Sequence, residues 1–236
     1  VSKDQLVKAP LGILWFGGPA NDGILPRHGH GPQPQVIDGR IVIEGVDLMR
    51  ALDIYTGRLL WETKIPGVGA FYNTLAHQPG ANASGSNFVS TADAIYVAVD
   101  KKCLRLDPAT GAILGEFQLP KLPGMKQASR WGYLNVAGDY LIGGADPLLD
   151  TRKLPTPPSD QTIGDDKQPG DGPTKSSTLS KVLSLIKGPG DNMSASRRLV
   201  VMNRHTGQVL WSRSANYAFR HNAICIGGGR IYAIDR

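Results

Sequence analysis

The side chains able to do chemistry in this 236-residue chain are few and fall into short groups. His28-Gly-His30 can set two imidazoles on one side of an extended segment, an arrangement that metal ligands use. No carboxylate or cysteine stands at a supporting spacing and a structural site needs four ligands, so loop hydrogen bonding is the expectation and no metal is predicted. Further polar groups precede apolar runs: Asn73 and His77 with Asn82, Ser84, Ser86 and Asn87; then Arg130-Trp131; then Arg220-His221-Asn222. A guanidinium beside an aromatic ring suits an anion or a planar ligand, against the plainer role of an aromatic shelf with polar caps. Cys103 and Cys225 lie far apart with no Cys-x-x-Cys pair, and both are expected to be small buried hydrophobes. Ser, His and Asp occur without a nucleophile elbow, and Gly227-Gly-Gly229 reads as a turn because no helix follows it to present amides to a phosphate.

The elements that must position these groups follow from composition. Twenty-nine glycines and seventeen prolines are spread between short apolar runs, which points to many tight turns and an all-β protein. The net charge of +6 comes from scattered lysines and arginines, not from a stripe, so nucleic acid is not an expected partner. No stretch approaches the length of a membrane span.

One phrase recurs: an acid or amide, two variable residues, Thr-Gly, then an apolar run. It appears as Asp53-Ile-Tyr-Thr56-Gly57 ending in Trp61, Asp107-Pro-Ala-Thr110-Gly111, and Asn203-Arg-His-Thr206-Gly207 ending in Trp211. The acid or amide oxygen accepts from backbone amides two and three residues on, and the glycine supplies positive φ, so the phrase is a strand reversal. Upstream, a turn followed by a β-branched or aromatic run starts at Gly39, Asp93, Gly138 and Gly229. The offset from this marker to the phrase is 14 residues in the first unit and 14 in the second, and 65 in the third, an excess of 51. For the fourth marker the phrase would fall at 243, so the last unit is expected to be truncated. Marker spacings of 54 and 45 match a four-stranded propeller blade.

The excess sits at about 147–195, crowded with Pro, Gly, Ser and Lys, and is expected to form a long inserted loop. Within it, Leu179, Val182, Leu183 and Ile186 have helical spacing, which predicts a short amphipathic helix docked on the blade or binding a partner.

Ala51-Leu-Asp53-Ile-Tyr-Thr56-Gly57-Arg-Leu-Leu60-Trp61 resembles the tryptophan-docking motif, Ala-x-Asp-x-x-x-Gly-x-x-x-Trp, of pyrroloquinoline-quinone (PQQ) dehydrogenase propellers. The same phrase is similar to that of BamB-type outer-membrane assembly lipoproteins and of PQQ-like proteins without enzymology. Leu14-Trp15-Phe-Gly-Gly18 and Pro26-Arg-His-Gly-His-Gly31 resemble large planctomycete propeller proteins. The second unit departs from the motif with Arg105 for the Ala and Gly115 for the Trp; Phe117 on the same strand face is expected to replace the missing indole. The third has Val201 for the Ala and keeps Trp211.

The resemblance implies a β-propeller of four-stranded antiparallel blades, with 1–34 the remnant of a preceding blade and its connecting loop, and 35–236 about four blade units in an incomplete ring. Remaining blades or a second copy would be needed to close it. It implies a periplasmic or otherwise exported protein, although no leader is visible ahead of Val1 and both ends read as cut. In that family PQQ lies under vicinal cysteines, calcium is held by carboxylate and amide groups, and an Asp is the base; no such set is legible here, so neither PQQ nor calcium is predicted. The expectation is a non-catalytic scaffold that binds a ligand or protein at the channel mouth or insertion. The alternatives are a quinoprotein dehydrogenase fragment and an envelope-assembly factor. Candidate ligand-binding residues are His28, His30, Asn87, Arg130, Trp131, Arg220, His221 and Asn222. Candidate blade-docking residues are Asp53, Gly57, Trp61, Asp107, Gly111, Asn203, Gly207 and Trp211.

Overall fold

A computed structural model describes residues 15, 22–26, 30–73, 80–122, 124, 126, 128–149 and 191–235. Strands β1 (Gln35–Ile37), β2 (Arg40–Gly45), β3 (Leu48–Asp53) and β4 (Leu59–Lys64) form one antiparallel sheet in sequence order. A single helical turn, α1 (Ala81–Ser84), leads into a second such sheet of β5 (Phe88–Ser90), β6 (Ile95–Val99), β7 (Lys102–Leu106) and β8 (Ile113–Gln118). The third comprises β9 (Trp131–Ala137), β10 (Tyr140–Leu149), β11 (Asp191–Asn203) and β12 (Val209–Arg220). After a 3-10 turn at His221–Ala223, β13 (Cys225–Gly227) and β14 (Arg230–Tyr232) make a two-stranded sheet.

The sheets stack face to face in chain order. Val42, Met49, Ala51 and Trp61 of the first share a core with Phe88, Val97 and Leu106 of the second. The other face of the second, with Tyr96 and Cys103, packs on Trp131, Leu141, Val200 and Met202 of the third. Tyr133, Ile142 and Val201 on the far face of the third receive Ile226 and Ile231. Consecutive four-stranded meanders burying both faces against their neighbours are propeller blades. Cys225 departs from the sequence expectation: it lies exposed on the two-stranded sheet, whereas Cys103 is buried at a blade interface.

The repeated phrase builds the same turn three times. Asp53 Oδ1 accepts from the Tyr55 and Thr56 amides at 3.0 and 2.8 Å, Asp107 Oδ1 from Ala109 and Thr110 at 2.8 and 2.9 Å, and Asn203 Oδ1 from His205 and Thr206 at 2.9 and 3.0 Å. The glycine closes each turn at φ of 67°, 71° and 75°. A register shift follows at the equivalent place in each blade, at Ala51/Leu52, Arg105/Leu106 and Val201/Met202.

Each turn also receives an aromatic side chain, at the second and third turns from the blade before. The Trp61 indole lies where a Cβ on Gly111 would stand, 2.5 Å from its Cε3, and its Nε1 donates to Pro108 O at 2.9 Å. Trp15 does the same to Gly57 and Ile54 O. At the third turn Phe117 lies over Gly207, and since a phenyl ring has no N–H, Tyr96 Oη approaches Arg204 O instead, at 3.5 Å. Arg204 also spans this interface, donating to Asp93 at 2.8 Å and to Tyr96 Oη at 3.1 Å.

Because strands alternate in direction, the β2–β3, β6–β7 and β10–β11 turns and the loops between blades emerge on one face, and the Thr-Gly turns on the other. Pairing of β10 with β11 continues to Leu149 and Asp191, so the chain between them leaves from the first of these faces. The helix expected at 177–186 lies outside the described residues.

Candidate functional site

A cleft of about 340 Å³ opens on the face of the inter-blade loops. Its sides are the loop after β4, the segment Ser84–Asn87 between α1 and β5, the β6–β7 turn and the start of β9. The first loop is folded back on the β2–β3 turn: Gly67 N donates to Asp47 Oδ1 at 2.7 Å, Asp47 N to Val68 O at 3.0 Å and Ile65 N to Asp47 O at 2.8 Å. This sets Phe71 and Tyr72 edge to face at 5.1 Å, and the Tyr72 hydroxyl meets Ser84 Oγ at 3.0 Å. On the far side, Trp131 N donates to Asp100 O at 2.8 Å and Arg130 Nε to Asp100 Oδ1 at 2.9 Å, which tie β9 to the β6–β7 turn.

Asn87, Arg130 and Trp131, three residues expected from the sequence, therefore line one cleft together with Phe71, Tyr72 and Tyr133. Its polar lining is incompletely satisfied. Asn87 Oδ1 and Trp131 Nε1 are buried without hydrogen-bond partners among the described residues. So are both oxygens of Glu44, on the face of β2 that meets the second blade. Burial pushes the Glu44 carboxyl up to about 8, partly offset by the nearby Asn87 side chain, which stops short of hydrogen-bond geometry. Burial likewise pushes the Tyr72 phenol up to about 12, with Glu44 adding to the shift.

The other expected residues lie elsewhere. His30 edges a separate shallow depression with Gln35, Asn82 and Ser86 and accepts from Ala81 N through its carbonyl at 2.9 Å. His28, with Arg27 and His77, lies outside the described residues, so the paired-imidazole geometry is not on view. Arg220 N donates to Ile234 O at 3.3 Å, and Asn222 is exposed. His221 is buried. Its Nδ1 donates to Ser84 O at 2.6 Å, a carbonyl that can only accept, which leaves Nε2 to accept from Ser196 Oγ at 2.7 Å. That is the geometry of a nucleophile and its base, but Ser196 is 0% exposed and its Oγ fills the space a Cβ on Gly144 would need. The pair joins α1 to the third blade and has no approach for a substrate.

Sequence reasoning passed over Glu44, Tyr72 and Tyr133, and singled out Trp15 for a resemblance without giving it a docking role. Glu44 had a signal, a lone acid ending the apolar run Ile41-Val-Ile43. So did Trp15, since Leu14-Trp15 repeats the Leu60-Trp61 and Leu210-Trp211 pairs.

No family model matches the chain, and no curated protein does. Among solved structures, it is similar to a quinohemoprotein alcohol dehydrogenase from Comamonas testosteroni, at 14% identity and a TM-score of 0.42 over 79% of this chain and 21% of that one. It is also similar to BamB from Moraxella catarrhalis, at 12% identity and a TM-score of 0.39 over 85% of this chain and 47% of that one. The computationally designed Ika8 protein gives 13% identity and a TM-score of 0.43 over 87% and 42%. These are likenesses of fold. The chain spans less than half the length of each of the three. No helix among the described residues is long and apolar enough to cross a membrane.

Proposed function

We propose that this chain is a non-catalytic stretch of β-propeller that serves as a scaffold and binds a small ligand or a partner group in the cleft between its blades. The observation that carries this reading is the cleft itself, where Asn87, Arg130 and aromatic side chains converge around buried polar atoms that have no hydrogen-bond partner among the described residues. Buried polar atoms are normally paired, so an unpaired set beside a cleft is set up for something that enters it. The open face of the loops is the side from which such a ligand would come. An exported location belongs to the same reading, on the strength of the blade phrase, and fractionation of cells making the full protein tests it.

The second reading, a quinoprotein dehydrogenase fragment, is favoured by one feature, a carboxylate beside an amide at Glu44 and Asn87. The fit of calcium and PQQ to this site is poor. Calcium takes six to eight oxygens, and no three of His, Cys, Asp and Glu converge on a common point among the described residues. Cys103 and Cys225 are separate free cysteines, one buried and one exposed. Titration with PQQ and calcium, followed by absorbance and thermal shift, separates the readings. The scaffold reading expects no saturable binding; saturable binding with dye-linked alcohol oxidation overturns it.

A further inference from the structure

We propose that the groove between the second blade and the Thr-Gly turn of the third binds a small aromatic carboxylate, its charge held by Arg105 and Thr206 and its ring in the space over Gly115. The groove measures about 390 Å³ and is lined by Arg105, Gly115 and Phe117 from one blade and by His205, Thr206 and Gly207 from the next. It lies among the Thr-Gly turns, on the opposite face from the cleft, and shares no residue with it.

The three copies of the turn differ here in a concerted way. At the first and second, an aspartate caps the turn and takes the threonine hydroxyl as well, Thr56 Oγ1 donating to Asp53 Oδ1 at 2.9 Å and Thr110 Oγ1 to Asp107 Oδ1 at 3.1 Å. At the third the cap is the neutral Asn203, whose Oδ1 accepts from the His205 and Thr206 amides. Thr206 Oγ1 accepts from Gln208 N at 3.2 Å, but its own O–H has no acceptor among the described residues. The blade facing this turn changes at the same place. Where the first blade pairs Ala51 with Trp61, the second pairs Arg105 with Gly115. A Cβ on Gly115 would meet nothing within 4 Å, so the place of an indole is open, and Phe117, two residues on, covers Gly207 without filling it.

Arg105 is thereby left with a charge and no partner. Its Nε is buried without a hydrogen-bond partner among the described residues, and no acid among them forms an ion pair with it. Register sets Arg105 opposite Tyr96 and Gly115, on the face that meets the third blade, while Glu116 lies opposite Leu104 on the other face. The neighbouring charges are already matched: Glu116 to Lys102 at 2.7 Å, Arg204 to Asp93 at 2.8 Å and His205 to Asp139 at 2.9 Å. One cation is over, beside a turn whose cap has no charge. A buried N–H without an acceptor is costly. A carboxylate supplies two oxygens in the plane of the guanidinium, with lone pairs to spare for the Thr206 hydroxyl. An aromatic ring suits a gap that an indole fills at the equivalent place of the first interface.

The test titrates the intact chain at pH 7.5 with 2-naphthoate, the neutral 2-naphthalenemethanol and inorganic phosphate, read by calorimetry and thermal shift. Naphthoate is expected to bind saturably and at least about tenfold more tightly than the alcohol. Arg105→Ala, which restores the residue type of the first blade, is expected to abolish that preference, and Gly115→Trp, which restores the indole, to exclude both naphthyl compounds. Thr206→Val is expected to weaken naphthoate several-fold and serves as the readout should either of the other variants fail to fold by circular dichroism. Phosphate binding as tightly as naphthoate, equal binding of the alcohol, or naphthoate affinity unchanged in the Arg105→Ala or Thr206→Val protein overturns the assignment. Binding of none of the three probes overturns it too, and leaves the reading of the cleft as it stands.

Discussion

Glu44 and Gly111 show how much a single position can carry in a repeated blade. An acid buried as a neutral carboxyl links stability to pH with a definite sign. Its folded-state value, near 8, lies above the ordinary 4.5, so its contribution is whole below pH 4.5 and is lost as pH rises through 8. The protein is expected to lose roughly 1 kcal/mol per pH unit across that window. Glu44→Gln should flatten the slope, and urea unfolding at half-unit steps of pH measures it. Asp53 and Asp107 act in the opposite sense and at lower pH. Their values are depressed, by the Thr56 hydroxyl above all at Asp53 and by the Thr110 amide at Asp107, so their contribution appears above the ordinary value and is lost on acidification. Gly111 is fixed twice over, by φ of 71° and by the indole lying where its Cβ would be. Gly111→Ala is expected to destabilise by well over about 1 kcal/mol, whereas Gly115→Ala, whose Cβ would meet nothing within 4 Å, should be within about 0.5 kcal/mol of the parent. Thermal denaturation of the two variants side by side checks both.

At the scale of elements, the unit that matters is the turn of one blade under the aromatic ring of the blade before. Trp61 provides area, a stacking face and a donor together, and these separate on substitution. Trp61→Phe is expected to cost about 1 kcal/mol for the lost bond to Pro108 O; Trp61→Ala should cost about 3–5 kcal/mol. Chemical denaturation of both variants gives the split, and equal losses would show that the donor carries nothing. The second blade met the same need by other means, with Phe117 over Gly207, the Tyr96 hydroxyl turned to Arg204 O, and Arg204 reaching back to Asp93. Phe117 was legible in the sequence because strand alternation puts it on the face of the missing Trp. The Arg204–Asp93–Tyr96 group was not, because Arg204 is over a hundred residues from the other two and meets them only when two blades stack.

For the whole molecule, the stacked blades leave a broad apolar surface on the third blade. The third blade is covered near β13 and β14, but Leu210, Trp211 and Tyr140 remain 45%, 43% and 51% exposed around a groove of about 680 Å³. Trp211 is the counterpart of Trp61, which is 7% exposed. Exposed patches of this kind promote association, so the 236-residue chain is expected to self-associate with rising concentration and Trp211→Arg to reduce it. Light scattering after size-exclusion chromatography measures this, and a parent protein that stays monomeric throughout the series refutes it.

The sequence by itself determined the turns, their offset and the blade as the repeating unit, because those depend on residues close together in the chain: a side-chain oxygen capping amides two and three positions on, and a glycine taking positive φ. It also singled out Asn87, Arg130 and Trp131, though not that they face one another. Only the tertiary structure decided that His221 is committed to Ser196 and Ser84, that Glu44 is buried beside Asn87, and that Cys103 is buried while Cys225 is exposed. Burial and pairing belong to the stacking of distant segments.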